Sequence, residues 1–501
     1  MHHHITSVAV IGAGASGAAA AAALKAERHF DIIRVFERRE TPGGTWIYDP
    51  DPGQSTVPTP GLLAPHLDPR STAPANLPAS LPPLDRERWE KTPVYEALTT
   101  NVPAVAMSFS DCPFPYGPFV PHWIPKQDIQ DYFSRQGTDN LLALGTTVED
   151  VTKLPHERWS LTLRKYDPTL RLDHWWKEEF DALILANGHY SVPFIPAVPG
   201  LAEYIERYPG KVVHSKTYRT ASFFAGRRVL VIGNSASGHD ITMALTSGAR
   251  LPVYQSRRSR SRWDRREPPS GVAWKPIVER YCANSGSILF ADGTSFAIND
   301  IDCVVYCTGY QSSFPFWNSR ANDGPLWDYS NGRLIGTYLH TFFHKYPSLG
   351  IIGMPRTLTF RSFEYQAIAL ARMFAARNSI ALPDRDGMKA WEMDRARRCR
   401  QERKKFHDIP WEEGETLDYF RSLFGIAGLP TLEGDGKCPP VLDESTRWAI
   451  EHLRKYPEPG KNQDDGVLDG PGPAGEGASK VADDGWVVVA ADRARGLQVL
   501  P

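Results

Sequence analysis

Short apolar runs rich in β-branched residues alternate along this chain with helix-forming stretches, the signature of parallel strands joined by helices. Ser7–Ile11 is apolar and β-prone, residues 18–26 are strong helix formers, and Ile32–Phe36 is apolar and β-branched again. The same order returns after Arg227: a strand at Val229–Ile232, a helix that includes residues 241–245, and a strand at residues 251–254. A further buried strand is predicted at residues 302–306. Two βαβ units predict an α/β protein with two Rossmann-like dinucleotide-binding domains.

Elsewhere the pattern is less regular. Residues 50–83 are proline-rich and predict a loop without regular structure, because proline blocks helix and ladder bonding. A functional loop and a plain surface insertion are both open there. Residues 384–405 are charged and predict a helix, with Arg397, Arg398, Arg403 and Lys404 on a solvated face. Residues 457–479, rich in Gly, Pro and Asp, predict disorder, and residues 486–489 read as a short strand without a clear place.

Composition narrows the class. The chain has 501 residues, 41% hydrophobic and 23% charged, so it can bury a large core. A net charge of -1 gives no global reason to expect nucleic acid or an anionic membrane as partner. Six cysteines are too sparse for a disulfide framework and suit a reducing compartment. No secretory pattern precedes the first strand, and no apolar run approaches the roughly 20 residues of a membrane helix. The expectation is a soluble, cytoplasmic protein without an integral membrane anchor; a homo-oligomer is left open.

The turn after the first strand reads Gly12-Ala13-Gly14-Ala15-Ser16-Gly17, a G-x-G-x-x-G pattern between strand and helix. Gly12 allows the tight turn, Gly14 lets the backbone approach a pyrophosphate, and Gly17 lets helix and strand pack closely. The helix N-terminus offers unpaired N–H groups to the phosphates. Glu37 ends the next strand, 20 residues after Gly17. A carboxylate there accepts both ribose hydroxyls and repels a 2′-phosphate, which suits FAD or NAD.

The second turn reads Gly233-Asn234-Ser235-Ala236-Ser237-Gly238, with Ser235 in place of the middle glycine. Its following strand ends in Tyr254-Gln255-Ser256-Arg257-Arg258, with no acid. A hydroxyl and guanidinium groups suit the 2′-phosphate of NADPH. The later arginines Arg260, Arg262, Arg265 and Arg266 are read as a solvated loop. Two such sites imply one resident flavin and one visiting nicotinamide. The electrons then go to a disulfide, to another protein or to oxygen.

Several separate motifs decide among these by resemblance. Phe36-Glu37-Arg38-Arg39 followed by Pro42-Gly43-Gly44-Thr45-Trp46 resembles the FAD segment of flavin-containing monooxygenases. The stretch from Tyr208 through Gly210 and His214 to Tyr218 resembles their identifying sequence F-x-G-x-x-x-H-x-x-x-Y/F, with Tyr208 in the first position. Baeyer–Villiger monooxygenases carry Trp where Tyr218 stands and Pro or Asp where Arg219 stands, which counts against oxygenation of a carbonyl. Asn187-Gly188-His189-Tyr190 and Cys307-Thr308-Gly309-Tyr310 are similar to the two linker motifs, the first in the form of soluble fungal members. The resemblance runs from about Ser7 to Leu429.

The resemblance implies an NADPH- and O2-dependent enzyme that oxygenates nitrogen or sulfur in a small molecule through a C4a-hydroperoxyflavin. It implies an FAD-binding domain in two parts, residues 1–200 and 313–456, with an NADPH-binding domain inserted at 201–312 and a flexible tail at 457–501. Around FAD it implies Gly12, Gly14, Ala15, Ser16, Gly17, Glu37, Arg38, Gly44, Thr45, Trp46, Val148, Asn187, Gly188 and Gln366, the last at the start of the final large helix. Around NADPH it implies Tyr190, Gly233, Asn234, Ser235, Ser237, Gly238, Ser256, Arg257, Thr308, Gly309 and Tyr310. Asn101 is the expected catalytic residue, beside the reactive edge of the flavin; its amide donates and accepts without titrating. His214 is expected to shape the domain junction.

The rival readings are a disulfide reductase, an NADPH oxidase and a non-catalytic nucleotide-binding protein. Cys303 and Cys307 are the closest cysteine pair, but on one strand they stand about 13 Å apart, beyond disulfide reach. His340 and His344 lack the acid of a zinc protease motif, and no metal is expected.

Overall fold

A computed structural model describes residues 4–53, 57–84, 89, 91–115, 117–261, 264, 266–428 and 435–455. Its main sheet has the order Thr337–Tyr338, Phe342–Phe343, Tyr346–Ile351, Ala182–Leu185, Ser7–Ile11, Ile32–Phe36, Leu142–Ala143. The last five run parallel, and the first two join as antiparallel hairpins. Strands from both ends of the chain therefore build one sheet. A second sheet has the order Val212–His214, Cys303–Tyr306, Val229–Ile232, Val253–Ser256, Val272–Lys275 and is parallel throughout. Its strands all come from the interval between Ala182–Leu185 and Thr337–Tyr338, so the second unit interrupts the first.

The alanine run of the first helix, Ala15–Ala26, has a packing reason. Ala18 to Ala23 are each at most 3% exposed, so this helix is buried on all sides. Small side chains let Thr359–Phe374 lie against it, and Glu415–Ala427 packs on that helix in turn. The other face of the main sheet carries Ala9, Ile11 and Phe36 into a separate core with Trp159, Leu161 and Leu163 of an antiparallel sheet.

Residues 50–83 depart from the expected irregular loop. Ala64–Leu67 is a helical turn, and Ala79–Leu81 pairs with Leu172–Phe180 as the edge of that antiparallel sheet. An edge strand tolerates neighbouring prolines because only one side of it must donate. The segment is also fastened inward: Gly61 N–H donates to Ile195 O and Ala64 N–H to Gln311 Oε1. The predicted charged helix is Arg385–Glu402, with Arg397 and Arg398 on its solvated side and paired to Asp394. The predicted tail and the strand at 486–489 lie outside the described residues.

Candidate functional site

Two glycine turns are built alike. Gly12 has φ +105° and Gly233 φ +112°, backbone that favours glycine. A Cβ on Gly12 would stand 2.6 Å from Ala186 O, and one on Gly233 would stand 2.7 Å from Cys307 O. Ala186 immediately precedes the first linker motif and Cys307 opens the second, so each motif lies directly against a glycine turn. One turn further on, a Cβ on Gly17 would meet Gly12 O at 1.9 Å, and one on Gly238 would meet Gly233 O at 2.3 Å. The helices Ala15–Ala26 and Ala236–Leu245 start from these turns with Gly14 and Ser235 in extended backbone. Ser235 takes the place of the middle glycine without a left-handed φ.

At the first turn, Glu37 is buried at the end of its strand and accepts from Ala13 N–H (2.8 Å) and Arg39 N–H (2.9 Å). The loop Gly44–Trp46 closes over the turn, with Gly44 facing Gly14, and Trp46 meets Phe360 edge-on at 6.4 Å. Ala15 and Ser16 are buried in the first turn of the helix, and Thr45 is the middle residue of the loop. Arg38 donates to Trp89 O. Val148 is buried in the strand Thr146–Lys153, next to a break in its register with Trp159–Asp167. The glycine cradle, the helix N-terminus and the carboxylate together fit a dinucleotide whose ribose is free of phosphate.

The second turn faces different chemistry. Arg257, Arg258, Ser259, Arg260 and Arg266 line one cavity of about 370 Å³. Arg260 and Arg266, read from sequence as plain solvated residues, thus share a pocket with Arg257; Arg262 and Arg265 lie outside the described residues. Arg257 lies 3.4 Å from the centre of the Trp274 ring and pairs with Asp264 at 3.2 Å. Asp264 also accepts from Asn234 Nδ2 (2.6 Å) and Ser261 N–H (2.9 Å). Sequence reasoning missed this acid because it lies in the arginine loop rather than at the strand end. Ser256 corrects an expectation. It is buried, and its hydroxyl donates to Pro276 O at 2.8 Å rather than facing the arginine pocket. Ser237 lies in the first turn of the helix behind the glycine turn.

Between the units, His214 is buried and bonded on both ring nitrogens. Nδ1 accepts from Lys216 N–H (3.1 Å), so Nε2 carries the proton and donates to Gly309 O (3.1 Å). Burial pushes its pKa down to about 3, and it stays neutral. Tyr310 packs edge-on against His214 and Tyr190. Thr308 donates to Phe194 O, and Asn187 Nδ2 donates to Ser313 O. Gly188 has φ +67°. The linkers are thus pinned to each other, with Val192–Pro193 paired to Tyr310–Gln311.

Gln366 also corrects an expectation. It lies in the middle of Thr359–Phe374, and further helices follow. It is fully buried: Oε1 accepts from Gly353 N–H (3.0 Å), and Nε2 donates to Thr341 Oγ1 (2.9 Å). A Cβ on Gly353 would stand 2.6 Å from Ser16 Oγ, so Gln366 holds this turn against the start of the first helix. Asn101 is exposed, just after a turn fixed by Thr100 N–H to Val120 O (2.8 Å) and His122 N–H to Leu98 O (2.9 Å).

The rivals lose ground on geometry. Cys303 and Cys307 are buried, unpaired thiols, pushed by burial up to about 11 and about 12, far from the thiolate a reductase needs. Among the described residues, no group of His, Cys, Asp and Glu is placed to hold a metal, and no helix is long and apolar enough to cross a membrane.

Comparison with known proteins agrees with this architecture. The chain matches a flavin-binding monooxygenase-like family over residues 85–285 and an NAD(P)-binding Rossmann-like domain over residues 10–66. It is 31% identical over 400 residues to flavin-containing monooxygenase FMO GS-OX5 of Arabidopsis thaliana, covering 76% of each chain. The chain belongs to the flavin-containing monooxygenase family. This monooxygenase is also 28% identical over 454 residues to flavin-containing monooxygenase iboF of Amanita muscaria, covering 78% of this chain and 82% of the other. Among solved structures it resembles the S-allyl-L-cysteine S-oxygenase of Allium sativum, with a TM-score of 0.69 and 26% identity over 89% of this chain and 91% of that one. It is therefore a flavin-dependent monooxygenase that also uses a nicotinamide cofactor, with a small molecule and O2 as substrates.

Proposed function

We propose that the enzyme uses FAD and NADPH to oxygenate a soft nucleophile, nitrogen or sulfur, in a small molecule. One contrast carries the reading. The first glycine turn ends in a buried carboxylate, Glu37, and the second opens on a pocket lined by four arginines. A carboxylate excludes a 2′-phosphate and guanidinium groups bind one. FAD is assigned to residues 1–200 and 313–456, and NADPH to 201–312.

When bound, the flavin accepts hydride and activates oxygen; the protein supplies binding, orientation and exclusion of water. Glu37 holds the adenosine ribose. The N-termini of Ala15–Ala26 and Ala236–Leu245 hold the two pyrophosphates. Arg257, Arg258, Arg260 and Arg266 hold the 2′-phosphate. Asn101 offers its amide to the reacting centre in the cleft between the units. No proton transfer is assigned to His214, whose two nitrogens are committed to main-chain groups. Sulfur is the first substrate class to try, because the resembling garlic enzyme is an S-oxygenase.

The test supplies the purified flavoprotein with NADPH or NADH and a panel of thioethers, amines and cyclic ketones. Sulfoxide or N-oxide formed in step with NADPH consumption is the expected result. Ester from a ketone would move the enzyme to Baeyer–Villiger chemistry. Hydrogen peroxide alone with every substrate would make it an oxidase, and no flavin reduction by NADPH would sink the reading.

A further inference from the structure

The segment ahead of Asn101 belongs to both units. Tyr95 and Leu98 pack into the core of the second unit, with Tyr95 edge-on to Tyr218 at 5.5 Å. The backbone of Thr99 and Thr100 instead bridges to Pro121 and Val120 of the first. The turn bearing Asn101 is therefore held by contacts to both units.

A carboxylate and a lysine fasten this turn. Asp240 is the fifth residue of Ala236–Leu245, the helix that starts at the second glycine turn. Its Oδ2 accepts from Tyr95 Oη (2.5 Å) and from Lys455 Nζ (2.9 Å). The same Nζ donates to Thr99 O at 3.1 Å. Both side chains of the pair are about nine-tenths buried, at 10% and 11% exposure. Lys455 is delivered by the helix Glu444–His452, which Asp443 caps by accepting from Thr446 N–H, and which buries Ala449 and Ile450 beside Ala104–Met107. One cation thus touches the turn before Asn101 and the nucleotide helix together.

We propose that Lys455 and Asp240 are positioning residues that couple nucleotide binding at the second unit to the placement of Asn101. Two physical effects act through them. A carboxylate near the start of a phosphate-binding helix opposes the field that attracts the pyrophosphate, and the Lys455 ammonium offsets that charge. The bond to Thr99 O then ties the Asn101 turn to that helix. This rests on the reading of Ala236–Leu245 as the NADPH helix and of Asn101 as the residue beside the flavin.

The test titrates NADP+ into the full-length, flavin-loaded protein and measures hydrogen peroxide released per NADPH. Lys455→Met should weaken NADP+ binding about tenfold, the scale of one coupled charge pair, and raise peroxide release. Lys455→Arg should restore both. Asp240→Asn combined with Lys455→Met should recover NADP+ affinity, since the negative and positive charges are removed together, yet still leak peroxide, since the tie to Thr99 is gone. A lysine that merely fastens the helix Glu444–His452 would leave NADP+ affinity native in Lys455→Met. That result, or a double variant no tighter than the single one, overturns the proposal. Asn101→Ser separates the underlying reading. Native peroxide release in that variant would remove Asn101 from the flavin while the NADP+ titrations still decide the role of Lys455. A native enzyme that binds no NADP+ would end both.

Discussion

At the scale of single residues, the site depends on charges that are already partnered. Arg257 lies over Trp274 and pairs with Asp264, so its loss removes a guanidinium and leaves an acid uncompensated beside the pocket. Arg257→Ala should therefore raise KM for NADPH at least tenfold, with a much smaller rise for NADH, a loss on the scale of about 1.4 kcal/mol or more. Arg258→Ala should do less, because no carboxylate is freed. Steady-state KM values for both nucleotides check this, and equal effects on NADPH and NADH would remove the 2′-phosphate from this pocket. Asn101→Ser should keep a full complement of flavin and lower product formed per NADPH. Unchanged coupling would leave Asn101 as a turn residue before Val102 and Pro103.

Elements set the precision of the two turns. In both units the last glycine of the turn, Gly17 or Gly238, sits where the helix passes over the carbonyl of the first, with no room for a methyl group. The two substitutions should therefore separate the two functions. Gly17→Ala forces the first helix off its strand and should yield protein with little bound flavin, read from the ratio of flavin to protein absorbance. Gly238→Ala should retain flavin and lose reduction by NADPH. Overpacking of this kind costs about 1–3 kcal/mol, less than a large domain must lose to unfold, so both variants should be recoverable. Flavin loss from Gly238→Ala with none from Gly17→Ala would reverse the assignment of the units.

For the whole molecule, three buried histidines among the described residues, His214, His340 and His407, tie stability to pH. His214 is bonded to main chain on both sides. Leu334 N–H donates to His407 Nε2, so His407 carries its proton on Nδ1 and donates to His340 Nδ1 at 3.0 Å. Burial holds all three below the ordinary range, and nearby Arg395 opposes protonation of His340 and His407. A histidine with a depressed folded pKa binds its proton in the unfolded chain first. Stability from this source is full above pH 6.5 and falls as the pH drops toward about 3 for His214. Unfolding near pH 5 should take up about three protons from these groups, and His214→Asn should reduce that uptake by about one. Thermal midpoints measured across pH 4.5–7.5 in the native chain and this variant check it; parallel curves would mean that His214 is not buried neutral.

Much of this protein was legible along the chain because its signals are local. A glycine turn between a strand and a helix, and an acid or arginines at the end of the next strand, follow from backbone sterics and phosphate chemistry within about thirty residues. So the sequence by itself determined the two Rossmann-like units and the contrast between Glu37 and the arginines. Tertiary structure alone decided what depends on residues far apart. It placed Gln366 in the core, turned the Ser256 hydroxyl toward Pro276, and built an edge strand from a proline-rich stretch. It also brought Lys455 to Thr99 and Asp240, residues separated by hundreds of positions. Periodicity reports which face of an element is buried, but the partner that satisfies a polar group there is fixed only when distant segments pack.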